Sequence, residues 1–171
     1  MGCKSSYQMY LMFYKCNKFN QPLSNWKVSN VTNMQGMFSG CNMFDQPLPW
    51  DVSHVDDMAM MFNECKRFNQ KISTWDVSQV TDMNSMFKMC TLFNQNISTW
   101  NVSQVTDMNH MFDTCTQFNQ NLSAWDVSEV TDMGFMFKNC LQFNANLSDW
   151  NVANVTICPI CLKIVIDLIT A

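Results

Sequence analysis

The side chains able to do chemistry in this chain are nine cysteines, two histidines, a recurring aspartate and recurring hydroxyls. Cys16, Cys41, Cys65, Cys90, Cys115 and Cys140 recur at a constant interval that shortens by one position only once. An odd total with even spacing is a poor disulfide framework. Side chains pointing inward from equivalent sites would set the sulfurs in a row, so free thiols packed as small hydrophobes are expected. The 16 methionines follow the same periodicity, which reads as core rather than as a soft-metal site. Cys158 and Cys161 have the spacing of a thioredoxin-like redox pair or half a zinc site. They stand one full period after Met133 and Met136, however, and so occupy core positions of one more, divergent unit. His54 and His110 fall in different columns, whereas zinc needs at least three well-placed protein ligands. Ser78, Ser103 and Ser128 are equivalent to one another, and catalysis requires one distinguished residue in a pocket. No cofactor, no metal site and no enzymatic activity are expected.

Two further columns have structural readings. Asp57, Asp82, Asp107 and Asp132 could attract calcium between coils, but the glycine-rich aspartate repeat of calcium-binding β-rolls is missing. Helix capping explains them, as it explains Thr32, Thr81, Thr106, Thr131 and Thr156 better than an ice-binding face does. Asn30, Asn96, Asn101, Asn121, Asn146 and Asn154 open glycosylation sequons multiplied by the repetition. The remaining candidate is a solvent-facing column beside the tryptophans: Lys27, Asp51, Asp76, Asn101, Asp126 and Asn151. Repeat proteins bind other macromolecules with extended surfaces of this kind.

What positions all of these is a repeat. Trp26, Trp50, Trp75, Trp100, Trp125 and Trp150 keep the same constant interval with one short step, and two phenylalanine columns hold the same register. One such unit cannot bury its own apolar face, so it needs neighbours stacked on both sides. Met133, Met136, Phe137 and Cys140 fall at i, i+3, i+4 and i+7, one side of a short helix, with Thr131 and Asp132 marking its start. Trp125 and Val127 alternate with Asp126 and Ser128, the period of a strand with one buried face, and Phe118 to Leu122 is also expected to be extended. The expected fold class is therefore an α/β repeat solenoid of about six 25-residue units, each a short strand plus a short helix. The short step falls between Leu48 and Trp50, where a loop with Pro49 can absorb it. Pro22 and Pro47 would each remove a donor from a ladder through that segment.

The whole of residues 1–171 reads as a single domain: a divergent part at 1–8, repeats over 9–157 and a divergent C-terminal cap at 158–171. Hydrophobic residues make up 47% and charged residues 14%, the balance of a folded chain. A net charge of -4 offers no basic footprint for phosphate, so nucleic acid is not an expected partner. No stretch is apolar for long enough to span a bilayer, and the residues before the repeats lack the pattern of a secretory leader, so a cytoplasmic chain, a mature fragment and export by another route are all expectations. The start MGCKSS fits N-myristoylation at Gly2 with Cys3 available for a palmitoyl group, which would attach an intracellular scaffold to a membrane. The competing reading is a decayed repeat.

FNQPLSNWKVSNVTNMQGMFSGC at Phe19 to Cys41, whose MF, C, FNQ, W-x-V and VT-x-M elements recur in order, resembles the 25-residue mycoplasma-type repeat of BspA-like leucine-rich-repeat surface proteins, domain of unknown function 285. The resemblance covers roughly residues 9–157. It implies a leucine-rich-repeat-like stacked fold and a cell-surface or secreted, non-enzymatic adhesion or interaction role. The partner would be a protein or cell-surface macromolecule, with the dually acylated scaffold as the alternative.

Overall fold

The computed structural model describes residues 7–156, and its defining feature is how the backbone N–H groups are shared out. Met58, Met60, Phe62 and Glu64 donate to the carbonyls of Asp82, Asn84, Met86 and Lys88 in the following coil, at 2.7–3.0 Å. The residues between them, Met61, Asn63 and Cys65, donate to Met58, Met60 and Phe62, three positions back, at 2.8–3.1 Å. Each coil thus spends alternate donors on its neighbour and on its own β-turns. The same scheme joins the coils from Met9 through Thr114 to those that follow them.

The expected helix is therefore not formed, and the α/β assignment of a strand plus a helix per unit is overturned. No helix is present among the described residues. An α-helix needs each N–H to reach the carbonyl four residues back, and here half of those donors are committed to the next coil. Backbone conformation excludes it as well: Met60 and Glu64 have φ of 55° and 63°, and the same two positions are left-handed in Leu11 and Lys15, Ser85 and Met89, His110 and Thr114, and Phe135 and Asn139. They are the third residues of their turns, where a type II turn requires positive φ. In one coil both places are glycine, Gly36 and Gly40, with φ of 60° and 79°.

The regular elements are two very short parallel strands, β1 (Tyr7–Gln8) and β2 (Val31–Asn33). Single parallel bridges continue their line from Asn33 to Asp57, Asp82, Asp107 and Asp132. Inter-coil pairing thus falls where the sequence reading places a helix start. The tryptophan segment keeps its alternation, with Trp125 and Val127 buried and Asp126 exposed, but it bends into a turn closed by Val130 N–H on the Val127 carbonyl rather than joining a ladder. Phe118 to Leu122 likewise has no regular assignment. This disposes of the proline difficulty: the backbone N–H groups of residues 70–72 make no bond to a neighbouring coil, so Pro22 and Pro47 at the equivalent sites remove nothing.

The core runs the length of the stack. Each of the methionine, phenylalanine, tryptophan and valine columns is buried in the inner coils. Phe38, Phe62, Phe87, Phe112 and Phe137 stack along the axis with centroids 5.7–5.8 Å apart and planes within 8°. Each also meets a second phenylalanine of its own coil, as Phe62 meets Phe68 at 4.0 Å. Parallel offset rings contribute beyond their buried area, about 0.5–1.5 kcal/mol per pair. That interaction helps to offset the left-handed residues, each of which costs roughly 1–2 kcal/mol when it is not glycine. The short step is absorbed as expected, with Leu48 and Trp50 both back in their buried columns.

Candidate functional site

Lys27, Asp51, Asp76, Asn101, Asp126 and Asn151 are all exposed, one per coil, along one side of the stack. In the inner coils the buried Trp and Val on either side turn the residue between them outward. Each acidic or amide side chain then holds the next turn. Asp51 Oδ1 accepts from Ser53 N–H at 3.2 Å and from Ser53 Oγ at 2.7 Å, and Asp126 does the same with Ser128 at 3.1 and 2.7 Å. Asp76 accepts from Ser78 N–H at 3.0 Å, Asn101 from Ser103 at 3.2 Å and Asn151 from Ala153 at 3.2 Å. The serine hydroxyl first, and its backbone N–H second, hold the carboxyls of Asp51, Asp76 and Asp126 below the usual carboxylate range. The second carboxylate oxygen is left to solvent or to a ligand. Beside the column Thr81, Thr106, Ser103, Ser128, Asp126 and Glu129 line a shallow groove of about 460 Å³.

The neighbouring acidic column serves the backbone. Asp57, Asp82, Asp107 and Asp132 each accept through Oδ1 from the N–H two residues on, at 2.7–2.9 Å, an Asx turn in place of the expected helix cap. Burial pushes the Asp82 carboxyl up. The threonines are not helix caps either: Thr81, Thr106, Thr131 and Thr156 donate both N–H and hydroxyl to the carbonyl of the residue one coil before. No group of three or more metal-ligating side chains occurs among the described residues.

The cysteine column contains free thiols, buried from Cys41 to Cys115 and exposed at Cys16. Their packing has a polar component: each Sγ donates to a phenylalanine carbonyl of the preceding coil, from Cys41 on Phe13 to Cys140 on Phe112, at 2.8–3.1 Å. Burial raises the Cys65, Cys90 and Cys115 thiols well above their ordinary value and pushes Cys41 and Cys140 up to about 12. They are inert donors rather than nucleophiles. Gly2, Cys3, Cys158, Cys161 and the expected cap at 158–171 lie outside the described residues.

Two features were not anticipated from the sequence. His110 Nδ1 lies 2.8 Å from the buried Asp113 carboxylate, which also faces Lys88 Nζ at 3.6 Å and accepts from the Thr114 hydroxyl at 2.9 Å. Elsewhere that column carries Ser39, Asn63, Lys88 and Lys138, and the change of charge sign from Lys88 to Asp113 was the available signal. The second feature is an amide ladder. Asn20, Asp45, Asn69 and Asn94 each accept, through one side-chain oxygen, a backbone N–H and a glutamine Nε2 from the following coil, at 2.7–3.1 Å.

Coils that repeat the same thiol, indole, amide and turn contacts make this a repeat protein whose chemistry is distributed rather than centred. Residues 3–88 and 63–162 match the family model described as Mycoplasma protein of unknown function, DUF285, and the chain belongs to that family. No curated protein and no solved structure matches it. No helix among the described residues is long and apolar enough to cross a membrane.

Proposed function

We propose that the chain is a non-enzymatic adhesion or interaction module of the BspA-like leucine-rich-repeat surface kind, acting at the cell surface on a protein or other surface macromolecule. The face that binds is the column of Lys27, Asp51, Asp76, Asn101, Asp126 and Asn151. The observation that supports it is the repeated exposed turn, in which a serine or its equivalent fixes one side-chain oxygen and leaves the other carboxylate oxygen free. Groups already held in one orientation lose little freedom when a partner engages them, and equivalent groups on successive coils suit an extended ligand.

The test is capture of surface material from neighbouring or host cells by the immobilised protein, compared with Asp76→Asn/Asp126→Asn. Asparagine keeps the turn, as Asn101 and Asn151 do, and removes the charge. Retention is expected to fall severalfold and to weaken with salt; a double variant that captures the same partner equally well removes this face from consideration.

A further inference from the structure

The amide ladder has one broken rung. Gln46, Gln70, Gln95 and Gln120 donate Nε2 to the side-chain oxygens of Asn20, Asp45, Asn69 and Asn94 at 3.1, 2.8, 2.9 and 2.7 Å. The next residue of that column is Ala145. Asn119 Oδ1 therefore accepts from Asn144 N–H at 3.1 Å and receives no glutamine. An opening of about 400 Å³ lies there, bounded by Asn119, Gln120, Asn121, Ser123, Asn144, Ala145, Asn146 and Asp149. Asn121 and Asn146 use their Oδ1 atoms to hold the N–H groups of Ser123 and Ser148, both at 2.9 Å, so each presents an Nδ2 donor without an acceptor among the described residues.

We propose that this gap is a binding subsite for a carboxamide, the glutamine side chain of a partner polypeptide. The ligand must give a hydrogen bond to Asn119 Oδ1 and take one from Asn121 or Asn146. A carboxamide carries a donor and an acceptor on one planar group, whereas an ammonium has no acceptor and a carboxylate no donor. The chain itself supplies four examples of the contact, since a glutamine fills the equivalent place in other coils. A sugar would satisfy the hydrogen bonds but finds no aromatic platform, because no aromatic side chain lines the opening. The opening exceeds a single side-chain amide, which leaves room for the flanking backbone of the partner. This subsite lies apart from the aspartate column and does not depend on it.

The experiment is an NMR titration of the side-chain and backbone amides with N-acetyl-glutamine methylamide, with N-acetyl-alanine methylamide and methyl glucoside run in parallel. Saturable shifts at Asn119, Asn144 and Asn146 are expected with the glutamine probe alone. Ala145→Gln closes the gap with a residue native to four equivalent sites and should weaken the probe at least tenfold. Gln120→Ala opens a second gap over Asn94 and should add a second set of shifts there, a readout that stands even if the first variant does not fold. Equal shifts with the alanine probe, saturation by the glucoside alone, undiminished binding to a folded Ala145→Gln, or no new site in Gln120→Ala would each overturn the proposal.

Discussion

Each tryptophan after the first donates its indole N–H to a leucine or isoleucine carbonyl one coil back, as Trp100 does to Ile72 at 3.1 Å. Ile72 O is also taken by Trp75 N–H, so the indole bond is an addition to a carbonyl already satisfied. Trp100→Phe should therefore cost about 1 kcal/mol for that hydrogen bond, with a further cavity cost for the smaller ring that stays below that of deleting an aromatic side chain. Phe87 is different: its ring is fully buried and meets Phe62, Phe93, Trp100 and Phe112. Phe87→Ala should cost about 3–5 kcal/mol, because the rigid stack cannot close over the hole. Urea unfolding of the two variants checks the order; a larger loss for Trp100→Phe would place the stability in the polar contacts instead. Both residues were legible as core from their columns. Their hydrogen bonds were not, since the acceptor stands on another coil, far away along the chain.

At the scale of the element, the turn series that replaces the helix rests on two left-handed residues per coil. Gly40 shows what the backbone wants there: with φ of 79°, an added Cβ would meet Lys15 Cα at 3.2 Å, backbone that cannot swing aside. At Gly36 the nearest atom is the flexible tip of Leu11, and Gly134 lies outside the left-handed region and meets the Asn109 side chain. Gly40→Ala should thus lose about 1–2 kcal/mol, with Gly36→Ala losing less and Gly134→Ala least. Thermal unfolding of the three variants decides this, and equal losses would contradict the turn reading. The pair Gly36 and Gly40, four apart inside a helical-looking segment, was the sequence signal against a helix. The spacing of Met133, Met136, Phe137 and Cys140 does not carry that signal, because it fits one face of a helix as well as it fits a chain of turns with the same side inward.

Across the whole molecule the thiols form a line of buried donors, and their ionisation ties stability to pH. Cys41, Cys65, Cys90, Cys115 and Cys140 are all raised in the folded chain above their ordinary 9.0, by burial first. An unfolded chain gives up those protons near 9.0, whereas the fold retains them to about 12 at Cys41 and Cys140. The unfolded state then binds fewer protons, so the thiols' contribution is intact below pH 9 and is lost as pH rises through that window. The denaturant midpoint should be flat from pH 7 to 8.5 and fall steeply by pH 10.5, and Cys90→Ser should make the fall shallower. A midpoint unchanged over that range would mean that the thiols are not protonated donors. The same burial leaves Cys16, on the first coil, as the exposed thiol of the column.

The sequence by itself determined the register, the residues that line the core and the place where one missing residue could be absorbed. These follow from the order of apolar and polar side chains, which is local and repeats in every unit. Only the tertiary structure decided how the backbone is bonded. Alternate N–H groups find carbonyls in the next coil, one repeat further along the chain, and that choice turns a helical-looking segment into turns, the expected aspartate caps into Asx turns and the expected threonine caps into inter-coil bonds. It also decided what a substitution within a column means. Ala145 is one small residue in sequence; in space it is a missing donor over Asn119, because only stacking brings one coil's glutamine onto the previous coil's asparagine.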